Sequence, residues 1–218
     1  MRLDTIQKIF KHKQCNPEGK YEKFSVLVPI VKVKEELELL FEVRSSNLKV
    51  QPKEICFPGG KMENNESKEM CAIRETCEEL NISSDHIEIF SPLDFLVLPY
   101  NIILYPFLGS ISQIHLNNLD FNKDEVAEIF TVPLSFFLEN EPSKHYINLE
   151  AHIPDSFPFH MIPSGKDYHW RTGKYPVLFY EYNGYAIWGI TARIVKNFVA
   201  YIKIKESSDK TLLSTQLY

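Results

Sequence analysis

Residues 57–82 run FPGGKMENNESKEMCAIRETCEELNI. Two adjacent glycines, Gly59 and Gly60, precede a helical pattern over 66–80, in which Met70, Ile73, Cys77 and Leu80 recur at spacings of three and four. Asn81 follows that apolar stripe, in the place where Gly or Asn closes a helix in the left-handed conformation. Glu75, Glu78 and Glu79 obey the same spacings and so share a face of their own. Like charges set this way weaken a bare helix by roughly 0.2–0.5 kcal/mol per pair. Arg74 reaches Glu78 one turn on, but it is one cation against three acids. The usual offset is a divalent cation, because carboxylates are hard oxygen ligands suited to Mg²⁺ or Mn²⁺. Mg²⁺ keeps waters and shares its shell with substrate phosphates, so an open carboxylate cluster implies a phosphate-containing ligand. Gly59 and Gly60 fit that picture, since a backbone without side chains can approach a ligand or metal closely and offer a carbonyl. A merely solvated acidic face would leave the three acids, the flanking Arg and the Gly-Gly pair without a common cause.

Working outward, 22–33 (EKFSVLVPIVKV) predicts a buried strand and 37–44 (LELLFEVR) a second, joined through the charged turn Lys34-Glu35-Glu36. Residues 45–55 read as a polar loop. Further strands are expected over 87–97, 102–111 and 125–132, then a short helix, LSFFLE, after Pro133. The stretch 148–174 is rich in Pro, His and aromatic residues and has little periodicity, so it suggests no element and no role. Asn183-Gly184 between 177–182 and 185–188 signals a hairpin. A closing amphipathic helix is expected over 191–203, with Ile194, Phe198, Tyr201 and Ile202 on one side. A short amphipathic helix at 4–11 begins the chain, and a polar tail over 205–218 is expected to fray. Strands with one central and one C-terminal helix make a mixed α/β sandwich in a single domain, 1–218, with its core at about 24–203.

The chain of 218 residues is ample for such a core, and its 44% hydrophobic and 24% charged content is ordinary for a soluble globular protein. A formal net charge of -5 gives no basic footprint for nucleic acid. No apolar run approaches the ~18 residues that span a bilayer, which predicts no membrane partner. The first residues, MRLDTIQKIFKHKQ, are broken by charges and lack the apolar core of a signal peptide, so the expected location is cytoplasmic. Cys15, Cys56, Cys71 and Cys77 form no CxxC pair, which points to reduced, largely buried thiols rather than a zinc site or disulfide framework.

At these residues the sequence resembles the Nudix hydrolases. Their signature is a Gly, five residues, a Glu, seven residues, then Arg-Glu, an apolar residue, any residue, Glu-Glu, any residue, Gly and an apolar residue. Gly60, Glu66, Arg74, Glu75, Glu78, Glu79 and Ile82 match in register; Thr76 stands in the apolar place and Asn81 in that of the Gly. Within that superfamily the chain is similar to the coenzyme A pyrophosphatases, through Leu39-Leu40, Arg44-Ser45 and Phe57-Pro58-Gly59-Gly60. Lys53 stands where that subfamily's spacer has a Gly. Glu125-Val126-Ala127-Glu128, Val132-Pro133-Leu134, Ile187-Trp188-Gly189 and Thr191-Ala192-Arg193 extend the likeness, which runs from about Phe24 to Tyr201.

The resemblance implies a Nudix fold, an α/β/α sandwich with a mixed, curved sheet. It implies hydrolysis of the diphosphate bond of coenzyme A or acyl-coenzyme A to 3′,5′-ADP and 4′-phosphopantetheine. Other substrates of the same chemistry are ADP-ribose, NADH, a dinucleoside polyphosphate or a damaged nucleotide. A non-catalytic nucleotide-binding module is the reading from another class, and it is disfavoured because the glutamates are all present. By resemblance Glu75, Glu78 and Glu79 hold Mg²⁺ or Mn²⁺, with the Gly60 carbonyl and Glu125 as further ligands and Glu128 in reserve for Glu125. Glu75 is the first choice for general base, Arg74 orients the glutamates, and Glu66 fixes the loop before the helix. Arg44, Ser45, Gly59 and Gly60 are the substrate-binding set, with Arg44 facing the 3′-phosphate. The partner is a small molecule, and a homodimer is an arrangement the sequence leaves open.

Overall fold

The computed structural model describes residues 1–114 and 116–215, side chains excepted at 117 and 209–215. Leu3–Phe10 forms a two-turn helix, α1, with no buried residue. Glu22–Val33 (β1) and Glu36–Arg44 (β2) are antiparallel and turn at Lys34, whose φ is 56°. Their central stretches, 26–31 and 39–41, are apolar because the sheet is covered on both faces: Leu27, Val31 and Leu40 point to one layer, and Val28, Leu39 and Phe41 to the other.

The pairing of β1 with β2 runs from the turn only as far as Ile30 opposite Leu39. Beyond that point the strands part, and a later piece of chain fills the gap. Ile55–Cys56 (β3) pairs with β2 at Glu42 and Val43, while Gly59–Lys61 (β4) pairs with β1, Gly60 opposite Ser25 and Gly59 opposite Val26. The Leu27 N–H donates to the Pro58 carbonyl at 2.9 Å and fastens the bend between them. The two glycines therefore lie inside the sheet rather than in a loop.

Lys68–Leu80 (α2) crosses above them. Ser67 caps it, its hydroxyl accepting the Met70 N–H at 3.1 Å. Asn81 closes it with φ 53° and ψ 46°, the left-handed cap expected. Of the stripe that periodicity indicated, the helix fully buries only Leu80. Met70 is 62% exposed, and the inward face is Cys71, Ala72, Thr76, Glu79 and Leu80. Small residues on that face let the helix come close to β4. The Thr76 hydroxyl donates to the Ala72 carbonyl at 2.7 Å, so its burial leaves no donor unpaired.

Where one strand was expected over 87–97 there are two, Ile87–Pro92 (β5) and Leu96–Leu98 (β6), both antiparallel to Ile102–Ile111 (β7). A register shift between Ile89 and Ser91, and Pro92 with no N–H to give, break the ladder there. β7 runs parallel to β1. Val126–Pro133 (β8) pairs with the far side of β2, and Leu134–Glu139 is α3. A second, three-stranded antiparallel sheet follows, Ser143–Leu149 (β9), Gly173–Tyr182 (β10) and Tyr185–Trp188 (β11). The β10–β11 turn is Asn183-Gly184, both at positive φ (46° and 87°), the conformation that dipeptide favours. Gly189–Thr215 is α4. It runs well past Lys203, so 205–215 of the expected tail is helical, and 216–218 lie outside the described residues. Its inner face is Ala192, Ile194, Val195, Phe198 and Val199, while Tyr201 is turned outward.

The main sheet has the order β3-β2-β1-β7-β5, with β4 on β1, β6 on β7 and β8 on β2. It is mixed, and it lies between α2 on one face and α3 with α4 on the other. This is the expected α/β/α sandwich. Among the described residues no helix is long and apolar enough to cross a membrane. The ring of Phe41, wholly buried, stacks on Phe57 at 4.8 Å and Phe130 at 5.5 Å, and so ties β2, the β3–β4 bend and β8 together. Phe41→Ala is expected to lower unfolding free energy by about 3–5 kcal/mol in urea titrations with the slope unchanged.

Candidate active site

The helix and the glycine strand meet at carboxylates. A Cβ on Gly60 would stand 2.3 Å from Oε2 of Glu75, and one on Gly59 would stand 2.3 Å from the Ser25 carbonyl oxygen. Gly59 also has φ 153°, which other residues rarely adopt. Its N–H donates to Oε2 of Glu79 at 2.7 Å. The Gly60 carbonyl, on a residue laddered with Ser25 of β1, also accepts a long contact from the Cys71 thiol, at 3.6 Å.

Arg74 gathers the outer acids. Its Nε and Nη2 donate to the two Glu66 oxygens at 2.8 and 3.1 Å, and its Nη1 reaches Glu75 at 2.9 Å and Glu78 at 3.1 Å. Nη2 also donates to the Lys61 carbonyl at 3.3 Å. Glu66 in turn accepts the Glu63 N–H at 3.1 Å, which shapes the loop ahead of α2. The Arg74 guanidinium holds the Glu66 carboxyl down to about 2. Glu75 goes the other way: burial raises it, in spite of Arg74.

Deeper in, the acids lack such help. Glu79 is 3% exposed, and burial followed by the charge of Glu42 pushes its pKa far above the carboxylate range. Glu42 on β2 is a member of this group that pattern reading passed over. It is 1% exposed, burial raises it, and its Oε1 accepts the Cys56 thiol at 3.3 Å while its Oε2 has no donor. The available signal was weak, since Glu42 is one of three acids in β2 and differs only in following the apolar run Leu39-Leu40-Phe41. Glu125 lies just before β8, and its negative charge further raises Glu42, Glu75 and Glu79. Glu128 is elsewhere: it is exposed and takes the Tyr185 hydroxyl.

Arg44 and Ser45 adjoin this group through the backbone. The Ser45 N–H donates to the Glu125 carbonyl at 2.7 Å. Ser45 itself is buried, its hydroxyl accepting the Asn47 N–H at 3.4 Å, so it shapes the turn. Arg44 N–H donates to the Glu54 carbonyl at 2.9 Å, and Lys53 N–H to the Arg44 carbonyl at 3.0 Å, which closes the loop between them. Arg44 Nε is buried without a partner. Of the four thiols, Cys15 is exposed, contrary to the general expectation of burial.

Four carboxylates, Glu42, Glu75, Glu79 and Glu125, thus influence one another; Arg74 is engaged at the outer edge, and Arg44 acts on Glu42 through its charge. Among the described residues no three Asp, Glu, His or Cys side chains converge on one point. Each acid has instead found its own donor: Arg74 for Glu75, Gly59 for Glu79, Cys56 for Glu42. The donor set, carboxylate oxygens with the Gly60 carbonyl and an orphaned Glu42 oxygen, fits a hard divalent cation.

The NUDIX domain model matches residues 23–149, from β1 through β9, and the chain belongs to the Nudix family. It is 38% identical over 125 residues to the mouse peroxisomal coenzyme A diphosphatase NUDT7, covering 57% of this chain and 51% of that protein. It is 31% identical over 119 residues to the human mitochondrial coenzyme A diphosphatase NUDT8, covering 54% of this chain and 50% of the other. The chain thus spans about half the length of these two relatives. A longer match, 28% identical over 181 residues and covering 83% of this chain and 84% of the relative, is to an uncharacterized Nudix hydrolase NudL of Photorhabdus laumondii.

The raised pKa values of Glu42 and Glu79 have a measurable consequence. The folded chain keeps protons that the unfolded chain gives up near pH ~4.3. Above that pH the unfolded state binds fewer protons, so this pair lowers metal-free stability as pH rises from about 5 into the alkaline range. Glu79→Gln removes part of that slope. Measured by denaturant unfolding in EDTA, its stability relative to the parent should be at least ~1 kcal/mol greater at pH 8 than at pH 5. A pH-independent difference would contradict the burial of an ionisable pair.

Proposed function

We propose that the chain is a metal-dependent diphosphatase that hydrolyses coenzyme A or acyl-coenzyme A to 3′,5′-ADP and 4′-phosphopantetheine. The observation that carries this reading is the joining of two parts. The acids on α2 sit against the Gly59-Gly60 strand, and the Arg44-Ser45 turn is tied to Glu125 by the Ser45 N–H at 2.7 Å. Two of its relatives are named coenzyme A diphosphatases.

In this reading Glu75, Glu78, Glu79 and Glu125, with the Gly60 carbonyl, hold Mg²⁺ or Mn²⁺. When bound, such a cation would supply charge neutralisation at the diphosphate and a more acidic water. Glu75, raised by burial, takes the proton of the attacking water, whose oxygen bonds to phosphorus as the bridging P–O bond breaks. Arg74 keeps Glu75 and Glu78 aligned, and the Gly59 N–H holds Glu79. Arg44, whose Nε has no protein partner, receives the 3′-phosphate. The whole unit is one domain with its core at about 24–203, and its cytoplasmic placement rests on the sequence alone, beside relatives whose names place them in peroxisomes and mitochondria.

Turnover with Mg²⁺ or Mn²⁺ should be compared across coenzyme A, acyl-coenzyme A, ADP-ribose and NADH. Coenzyme A species are expected to have the highest kcat/KM, and ADP-ribose ahead by tenfold would overturn the substrate assignment. Glu79→Gln is expected to lose at least ~100-fold in kcat with the circular dichroism spectrum intact. Arg44→Ala should raise KM for coenzyme A by about tenfold and leave that for ADP-ribose, which has no 3′-phosphate, within about twofold.

A further inference from the structure

We infer that Glu42 is a further acid of the divalent-cation site, adding its negative charge to that of Glu79 when the cation is bound. The inference rests on the diphosphatase reading above. Glu42 pairs across the sheet with Cys56 on one side and Ile129 on the other, near the end of β2. It is 1% exposed; a thiol donates to its Oε1, and its Oε2 has no hydrogen-bond partner. Its acidic neighbour, Glu79, is also buried and has one N–H of its own, from Gly59. Two buried carboxylates have one amide and one thiol as donors, and an uncompensated buried carboxylate costs several kcal/mol.

A purely structural acid at this position had a partner at hand. Arg44 lies two residues further on, on the same face of β2, with the opposite charge. Yet the two form no ion pair, and each keeps a buried atom unsatisfied, Oε2 on Glu42 and Nε on Arg44. The strand thus presents an unsatisfied anion and an unsatisfied cation side by side. Arg44 is left for an anion of the substrate, and Glu42 for a cation beside Glu79. The hydrogen bond from Cys56 fixes one oxygen and leaves the other free, which suits a group that must accept a ligand without moving far.

The test is Mn²⁺ binding to the full chain without substrate, followed by the electron paramagnetic resonance of free Mn²⁺. The parent is compared with Glu42→Gln, Glu42→Asp, Glu79→Gln and, as a control, the exposed Glu69→Gln. Gln is isosteric with Glu and still accepts the Cys56 thiol, so the metal-free fold is expected to be kept, as judged by circular dichroism. Glu42→Gln is expected to weaken Mn²⁺ binding at least tenfold, and Glu69→Gln to leave it unchanged. Glu42→Asp keeps the charge with a shorter reach and should fall between the parent and Gln. A core acid that only donates a shared proton to Glu79 would be replaced faithfully by the Gln amide. An affinity within twofold of the parent for Glu42→Gln, or for Glu42→Asp should Gln not fold, overturns the inference. If Glu79→Gln weakens binding and Glu42→Gln does not, only this inference falls. If the parent binds no Mn²⁺, the diphosphatase reading falls and takes this one with it.

Discussion

The carboxylate of Glu75 occupies the space in which a side chain on residue 60 would begin. Helix α2 can lie this close to the sheet because β4 presents backbone alone beneath it. That closeness depends on other features. β4 has to be a strand of the sheet, so β1 and β2 must part after Ile30 and Leu39 to admit it. The helix has to turn small residues inward, Cys71, Ala72 and Thr76, in place of the Met70 stripe. Gly59 has to hold a φ of 153° so that its N–H reaches Glu79. Parted strands, glycine pair, narrow helix face and buried acid belong to one geometric requirement.

The electrostatics follow from the same closeness. Outside, Arg74 bonds to Glu66, Glu75, Glu78 and the Lys61 carbonyl, so one arginine compensates the outer acids. Inside, Glu42 and Glu79 are removed from water, with no arginine paired to them, and burial raises both. The molecule therefore has a balanced outer rim and an electron-rich interior a few residues away. Evenly spread acids would be explained by solubility. This gradient, directed inward from the rim, is a feature that a bound cation would complete.

Much of the scaffold was legible because its signals are local. The span of β1, the span of β7, the LSFFLE helix and the Asn183-Gly184 turn each follow from side-chain alternation or a dipeptide with one favoured geometry. The cluster of Glu75, Glu78 and Glu79 after Gly59-Gly60 was legible for the same reason. What escaped depends on contacts distant in sequence. The buried side of α2 is chosen by the glycines beneath it, not by hydrophobicity, since it includes Thr76 and Glu79 and leaves out Met70. Glu42 is conspicuous only when β3 and α2 are in place above it. β9 is exposed at every residue, so no burial pattern marks it, and the irregular run after it is organised by its own rings, Phe157 and Tyr168 each against Trp170.

The loop between Arg44 and Glu54 is closed at its base by two reciprocal backbone hydrogen bonds, Arg44 to Glu54 and Lys53 to Arg44. Residues above that base hang from a fixed hinge point, while the strand below it continues directly into Cys56, Phe57 and the glycines. Changes of length or composition at 46–52 can be absorbed at the base without moving Gly60 or Glu75. The architecture thus separates residues 46–52 from the base and the glycine strand that would hold and cleave a substrate. The first can drift, and the second is pinned by the closest contact in the site.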